Sequence, residues 1–180
     1  MTTLSHPEIK RRASSHGIAA LAAMLLPAII FPLELFIASS LPRYAFLRDP
    51  AQYPWELFAI ALAGTVATLG GIADWRFHRS GNTAVGRREH NSHLAALAGG
   101  GLPLFLLMSA ASVHPRPHLF LLPVFAVVIY TTLAIGYDEF IFHRRCGMYE
   151  TLTHRALTLG NGLAFLAWAH WCFVRGAIHA

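Results

Sequence analysis

The chain has 180 residues, of which 55% are apolar and only 13% charged, and it carries a formal net charge of +5. A soluble globular domain carries about 25% charged residues, so an ordinary soluble domain is excluded. The apolar residues gather into runs near the length of about 20 that a bilayer span requires.

In chain order, residues 1–16 read as a cytoplasmic tail that carries Lys10, Arg11 and Arg12. Residues 17–53 hold helix 1, an apolar run from Gly17 to Ser39, and an outer loop. The run is too long for the apolar core of a cleaved signal peptide. Residues 54–113 contain the runs Pro54 to Ala73 and Leu94 to Val113, and residues 118–175 contain Leu119 to Gly136 and Ala156 to Val174. The expected fold is all-α: one integral membrane domain with five transmembrane helices. Positive loops stay in the cytoplasm. The basic clusters at residues 10–12, at Arg76, Arg79, Arg87 and Arg88, and at Arg144, Arg145 and Arg155 then share the cytoplasmic side with the N-terminus. The C-terminus falls on the opposite side, and the basic charge does not call for nucleic acid. Cys146 and Cys172 fall on opposite sides, so no disulfide is expected between them.

Helices 2–3 and 4–5 read as a tandem repeat of helical hairpins. Gly71, Asp74, Phe77, His78 and Arg79 align with Gly136, Glu139, Phe142, His143 and Arg144. Glu89 and His93 align with Glu150 and His154, and the register continues through Ala95, Gly99, Gly101 and Leu102 over Ala156, Gly160, Gly162 and Leu163. Helix 1 lies outside the repeat. Each copy has the form acid-x3-His, loop, Glu-x3-His. Residues four apart share one helix face, so each pair can aim an oxygen and a nitrogen at one centre.

Eight side chains are therefore the candidate metal ligands: Asp74, His78, Glu89, His93, Glu139, His143, Glu150 and His154. Imidazole with carboxylate suits iron, zinc or manganese, and eight donors suit two metal ions, with some orienting others. Iron is favoured. Di-iron carboxylate proteins place Glu and Glu-x-x-His on facing helices by the same principle. The bland reading of one Glu–His pair is a hydrogen bond or cap at a helix end. Four pairs in a repeat favour function, because ionisable groups at membrane depth are costly.

Other polar residues have weaker readings. His90 reads as a surface residue or, less favoured, a spare ligand, and Asp138 as a replacement ligand for Glu139 or a partner for arginine. Tyr137, Tyr149, Trp75, Trp168 and Trp171 read as interfacial anchors. His114, His118, His170 and His179 fall on the far side and read as solvated loop residues or a second site. Glu34 and Glu56 read as a proton relay or as partners for an arginine such as Arg43.

The function expected from these residues is a membrane dimetal oxidoreductase of oxygenase, hydroxylase or desaturase type, acting on a hydrophobic or lipid-like substrate at the cytoplasmic interface. Arg79, Arg144, Arg145 and Arg155 are candidate contacts for an anionic head group, and an electron-donor protein is the expected cytoplasmic partner. In architecture the arrangement resembles membrane fatty-acid hydroxylases and desaturases, which hold a histidine-rich dimetal site at the cytosolic ends of helices. It departs from them in lacking H-x3-H and H-x2-HH clusters. A zinc-dependent membrane hydrolase, with Glu89 or Glu150 as base, is the first alternative. Metal transport or storage is the second, and haem ligation would leave the matched carboxylates unexplained.

Overall fold

A computed structural model describes residues 21–22, 25–79, 87–142 and 147–175. The described residues are helical apart from short turns. Helix α1 (Leu25–Ala38) bends by 117° into a 3-10 segment, Pro42–Arg48. Helices α2 (Trp55–Arg79), α3 (Arg87–Ala96), α4 (Leu102–Val113), α5 (Leu121–Ile141) and α6 (Met148–Ala169) follow. A π-helical segment, Leu97–Gly101, joins α3 to α4, and another, His170–Arg175, continues α6.

Four helical stretches are long and apolar enough to cross a membrane: Trp55–His78, Arg88–Val113, Pro117–Ile141 and Met148–Arg175. The bent pair at α1 brings the number to five if it forms one span. The exposed surface agrees, with Leu122 79% exposed, Phe36 76% and Leu62 71%. Soluble proteins rarely expose large contiguous apolar patches; in a bilayer such side chains meet acyl chains.

Local chemistry explains the breaks. The hydroxyls of Ser39 and Ser40 donate back to the carbonyls of Phe36 and Ile37, both at 2.6 Å, and Pro42 follows with no N–H to continue the ladder. Where the sequence suggests one helix over residues 17–39, its described residues are helical at 21–22 and over Leu25–Ala38, and a sharp turn follows. In the second span, Pro103 cannot donate to the carbonyl four residues back. The Leu102 N–H instead reaches Leu97, five back, which is the π pattern.

The helices associate in two sets: α2 packs along α6, and α3, the π segment and α4 pack on α5. Small residues control the α2–α6 contact. A Cβ added at Gly160 would lie 2.7 Å from the Ala63 carbonyl oxygen and 2.8 Å from the Ala67 nitrogen. A Cβ at Gly70 would lie 2.8 Å from the Leu157 nitrogen and 2.9 Å from the Thr153 carbonyl oxygen. The two backbones therefore touch over about two turns, the geometry that small-xxx-small patterns allow between membrane helices.

The closely packed core lies toward the other end of α2. Leu57, Ile60, Ala111, Val124, Ala167, Trp168, Trp171 and Cys172 meet there, with Ala38 and Leu47 from the N-terminal part of the chain. Polar bonds tie the same region. The Trp168 indole N–H donates to Ser112 Oγ at 2.9 Å, the Tyr44 hydroxyl donates to the Ser112 carbonyl, and Arg43 donates to the carbonyls of His114 and Ser112. Cys172 is a buried free thiol; Cys146 lies outside the described residues.

Candidate functional site

The α2 stripe that packs on α6 runs through Ala63, Ala67, Gly70, Asp74 and His78, in steps of three and four residues. Because Gly70 brings the backbones together, the next two members, Asp74 and His78, are carried against the first turn of α6. Glu150 lies in that turn and is buried, as is Thr153. His78 Nε2 stands 3.6 Å from Glu150 Oε1 and 3.7 Å from Asp74 Oδ1. Both separations exceed a normal hydrogen bond. The Thr153 hydroxyl lies 3.4 Å from Asp74 Oδ1 and 3.0 Å from the Glu150 carbonyl.

The end of α5 supplies two consecutive carboxylates that turn to different helices. Asp138 is buried and accepts a hydrogen bond at 2.9 Å from the His93 imidazole on α3. Glu139 Oε2 lies 3.3 Å from His154 Nε2 on α6. Consecutive helix positions point about 100° apart, so one helix can reach both neighbours. Glu139 thus connects the α5 set to the α6 set.

Of the eight candidate ligands, Asp74, His78 and Glu150 come together, Glu139 meets His154, and His93 meets Asp138 instead of Glu139. Glu89 lies in the first turn of α3, and His143 lies outside the described residues. Among the described residues, no group of three or more His, Cys, Asp or Glu side chains converges in an arrangement that would hold a metal ion. Of the candidate head-group contacts, Arg155 is exposed on α6, while Arg144 and Arg145 lie outside the described residues. Arg79 ends α2.

A second polar cluster occupies the opposite end of α2. Glu56 is 0% exposed, and its Oε1 accepts from His170 Nδ1 at 2.7 Å and from Arg175 Nε at 2.9 Å. Its Oε2 has no hydrogen-bond partner among the described residues. Arg43, the suggested partner for such a carboxylate, instead bonds the carbonyls that end α4. His170 is a carboxylate partner on a helix rather than a solvated loop residue, and its ring packs on Trp55 with centroids 5.4 Å apart. The π winding explains the pairing: it brings residues five apart to one side, so His170 and Arg175 both reach Glu56. Arg175 carries no sequence signal beyond being a lone charge at the end of an apolar run. Glu56 and Asp74 are separated along α2 by roughly 27 Å at ~1.5 Å per residue, close to the ~30 Å hydrocarbon thickness of a bilayer.

No protein-family model matches this chain, and no curated protein or solved structure matches it either.

Proposed function

We propose that the acid–imidazole end of this helical bundle binds two metal ions, iron by preference, and that the protein is a membrane oxidoreductase acting on a hydrophobic or lipid-like substrate at the cytoplasmic interface. The observation that carries the reading is the position of His78, 3.6 Å and 3.7 Å from carboxylate oxygens on two helices. Ligands bound to one metal at about 2.0–2.1 Å stand about 3.4 Å apart in the tetrahedral geometry that zinc adopts and about 3.0 Å apart where they meet at right angles. These gaps are closer to the tetrahedral spacing than to a hydrogen bond. The 3.3 Å gap between His154 and Glu139 agrees with it. Asp74, His78 and Glu150, which approach one another without converging as a ligand set, are assigned to one ion and would draw together to hold it. Glu139 and His154 are assigned to the other, with Glu89 and His143 completing the set.

The 2.9 Å hydrogen bond between His93 and Asp138 favours a different role for that pair. A carboxylate that takes an imidazole N–H fixes the ring's tautomer and direction, so Asp138 is a positioning residue. The tandem repeat belongs to the same reading. The outgoing helix of each copy, α2 or α5, packs on the returning helix of the other copy, α6 or α3, as exchange between duplicated hairpins would produce.

When bound, the metals supply redox chemistry. The chain's own contribution is to hold the ions with carboxylates that can shift their coordination and to keep the site beside the acyl region of the bilayer. The cytoplasmic placement follows from the basic residues near this end, Arg76, Arg79, Arg87 and Arg88, and leaves it accessible to an electron-donor protein.

Metal analysis of the purified chain tests the reading. About two equivalents of iron are expected, with His78→Ala and His143→Ala each losing metal and His118→Ala retaining it. Equal metal content in all three variants would overturn it, and zinc near one equivalent would turn it to a hydrolase.

A further inference from the structure

Beside the His93–Asp138 pair lies an open surface groove of about 500 Å³ between α3 and α5. Arg88, Asn91, Ser92 and Ala95 line one wall, in the helical steps of three and four that share a face, and Ala134 and Tyr137 line the other with Phe142. The walls differ along their length. Arg88, Asn91 and Ser92 sit at the interfacial end of the Arg88–Val113 span. Ala95 and Ala134 lie further in, where their small side chains leave a trough. Tyr137 and Phe142, edge to face with centroids 6.1 Å apart, form an aromatic rim.

Among the described residues, Arg88 has no carboxylate within ion-pair distance, and the Asn91, Ser92 and Tyr137 side chains have no hydrogen-bond partner. Helix α3 begins at Arg87, so the positive end of its dipole lies on the same side as Arg88 and adds a smaller attraction for an anion. A guanidinium, two neutral hydrogen-bonding side chains and a helix start at the membrane surface suit a phosphate. An apolar trough running from them toward the middle of the span suits an acyl chain.

We infer that this groove binds an anionic phospholipid of the surrounding bilayer, with the phosphate at Arg88, Asn91 and Ser92 and the first part of one chain between Ala95 and Ala134. Binding follows from the groove alone. That the bound lipid is also the substrate rests on the oxidoreductase reading, since the groove adjoins His93 and Asp138 through the neighbouring residues Ser92 and Tyr137.

The test uses the full chain reconstituted in mixed phosphatidylglycerol and phosphatidylcholine, with retained lipid counted by native mass spectrometry and metal content measured on the same samples. Phosphatidylglycerol is expected to be retained preferentially. Arg88→Gln should weaken that retention about fivefold, as loss of ~1 kcal/mol of interfacial charge attraction implies. Ala95→Trp, on an exposed helix position, should fill the trough and abolish retention of both lipids. Arg116→Gln, at the other end of the bundle, should change neither. The inference is overturned if Arg88→Gln and Ala95→Trp retain lipid like the parent, if Arg116→Gln weakens retention as much as Arg88→Gln, or if millimolar inorganic phosphate displaces the lipid. A parent chain that carries no metal but retains phosphatidylglycerol sinks the metal reading and leaves the groove intact; one that carries metal but shows no preferential retention sinks the groove alone.

Discussion

Two glycines two residues apart on α6 should respond in opposite directions to the same substitution. Gly160 is buried against α2, whereas a Cβ at Gly162 meets nothing within 4 Å. Alanine is favoured over glycine in a helix by about 1 kcal/mol, so Gly162→Ala should be neutral or stabilising by up to that amount. At Gly160 the new methyl would stand 2.7 Å from the Ala63 oxygen, 2.8 Å from the Ala67 nitrogen and 2.9 Å from the Ala67 Cβ. Two of these atoms are backbone and cannot rotate away. Since carbon contacts settle near 3.5–4.0 Å, α6 has to retreat by roughly 0.5–1 Å. Overpacking of this kind costs about 1–3 kcal/mol, which exceeds the propensity gain. The retreat also widens the approach of Glu150 to His78, because both lie on the stripes that these small residues bring together. Reversible unfolding in mixed micelles, followed by circular dichroism, gives the two stabilities. The propensity gain is common to both, so Gly160→Ala should be less stable than Gly162→Ala by the overpacking cost, about 1–3 kcal/mol. Equal stability of the two variants would refute the backbone contact between α2 and α6.

At the opposite end, Glu56→Gln retains the shape but removes the charge that accepts from Arg175 and His170, and should destabilise by about 1–3 kcal/mol in the same assay; parent-like stability would deny the cluster a structural role. Trp168→Phe removes the N–H that donates to Ser112 and should cost about 0.5–1.5 kcal/mol, a loss that should largely disappear when Ser112 is already alanine. A reporter tag inserted within residues 80–86 should be protected from reagents added outside the cell, while one after residue 180 should react; a C-terminus on the same side as that tag would break the five-span topology.

Much of the architecture is legible in the amino-acid order because both of its signals are local. A run such as Leu119 to Gly136 has the length and apolarity of a span whatever surrounds it, and Asp74 and His78 share a face because they are four residues apart. The acid and histidine residues near the ends of the apolar runs could therefore be identified before any partner was known. The break after α1 is less legible, although Ser39, Ser40 and Pro42 carry it, because apolarity alone continues across the serines.

Which helix faces which is a different kind of information. The 3.6-residue period specifies a direction around one axis and nothing about the neighbour in that direction. Packing made that choice: Gly70 and Gly160 let α2 and α6 meet backbone to backbone, and so set Asp74 and His78 against Glu150, more than seventy residues away. The same holds for Asp138 taking His93 while Glu139 takes His154, and for Glu56 meeting His170 and Arg175 across 114 and 119 residues. Chain order alone determined a helical membrane protein with acid and imidazole groups gathered near one end of its spans. The tertiary structure decided their partners, because inter-helix distance depends on side-chain volume at the crossing, which no local periodicity encodes.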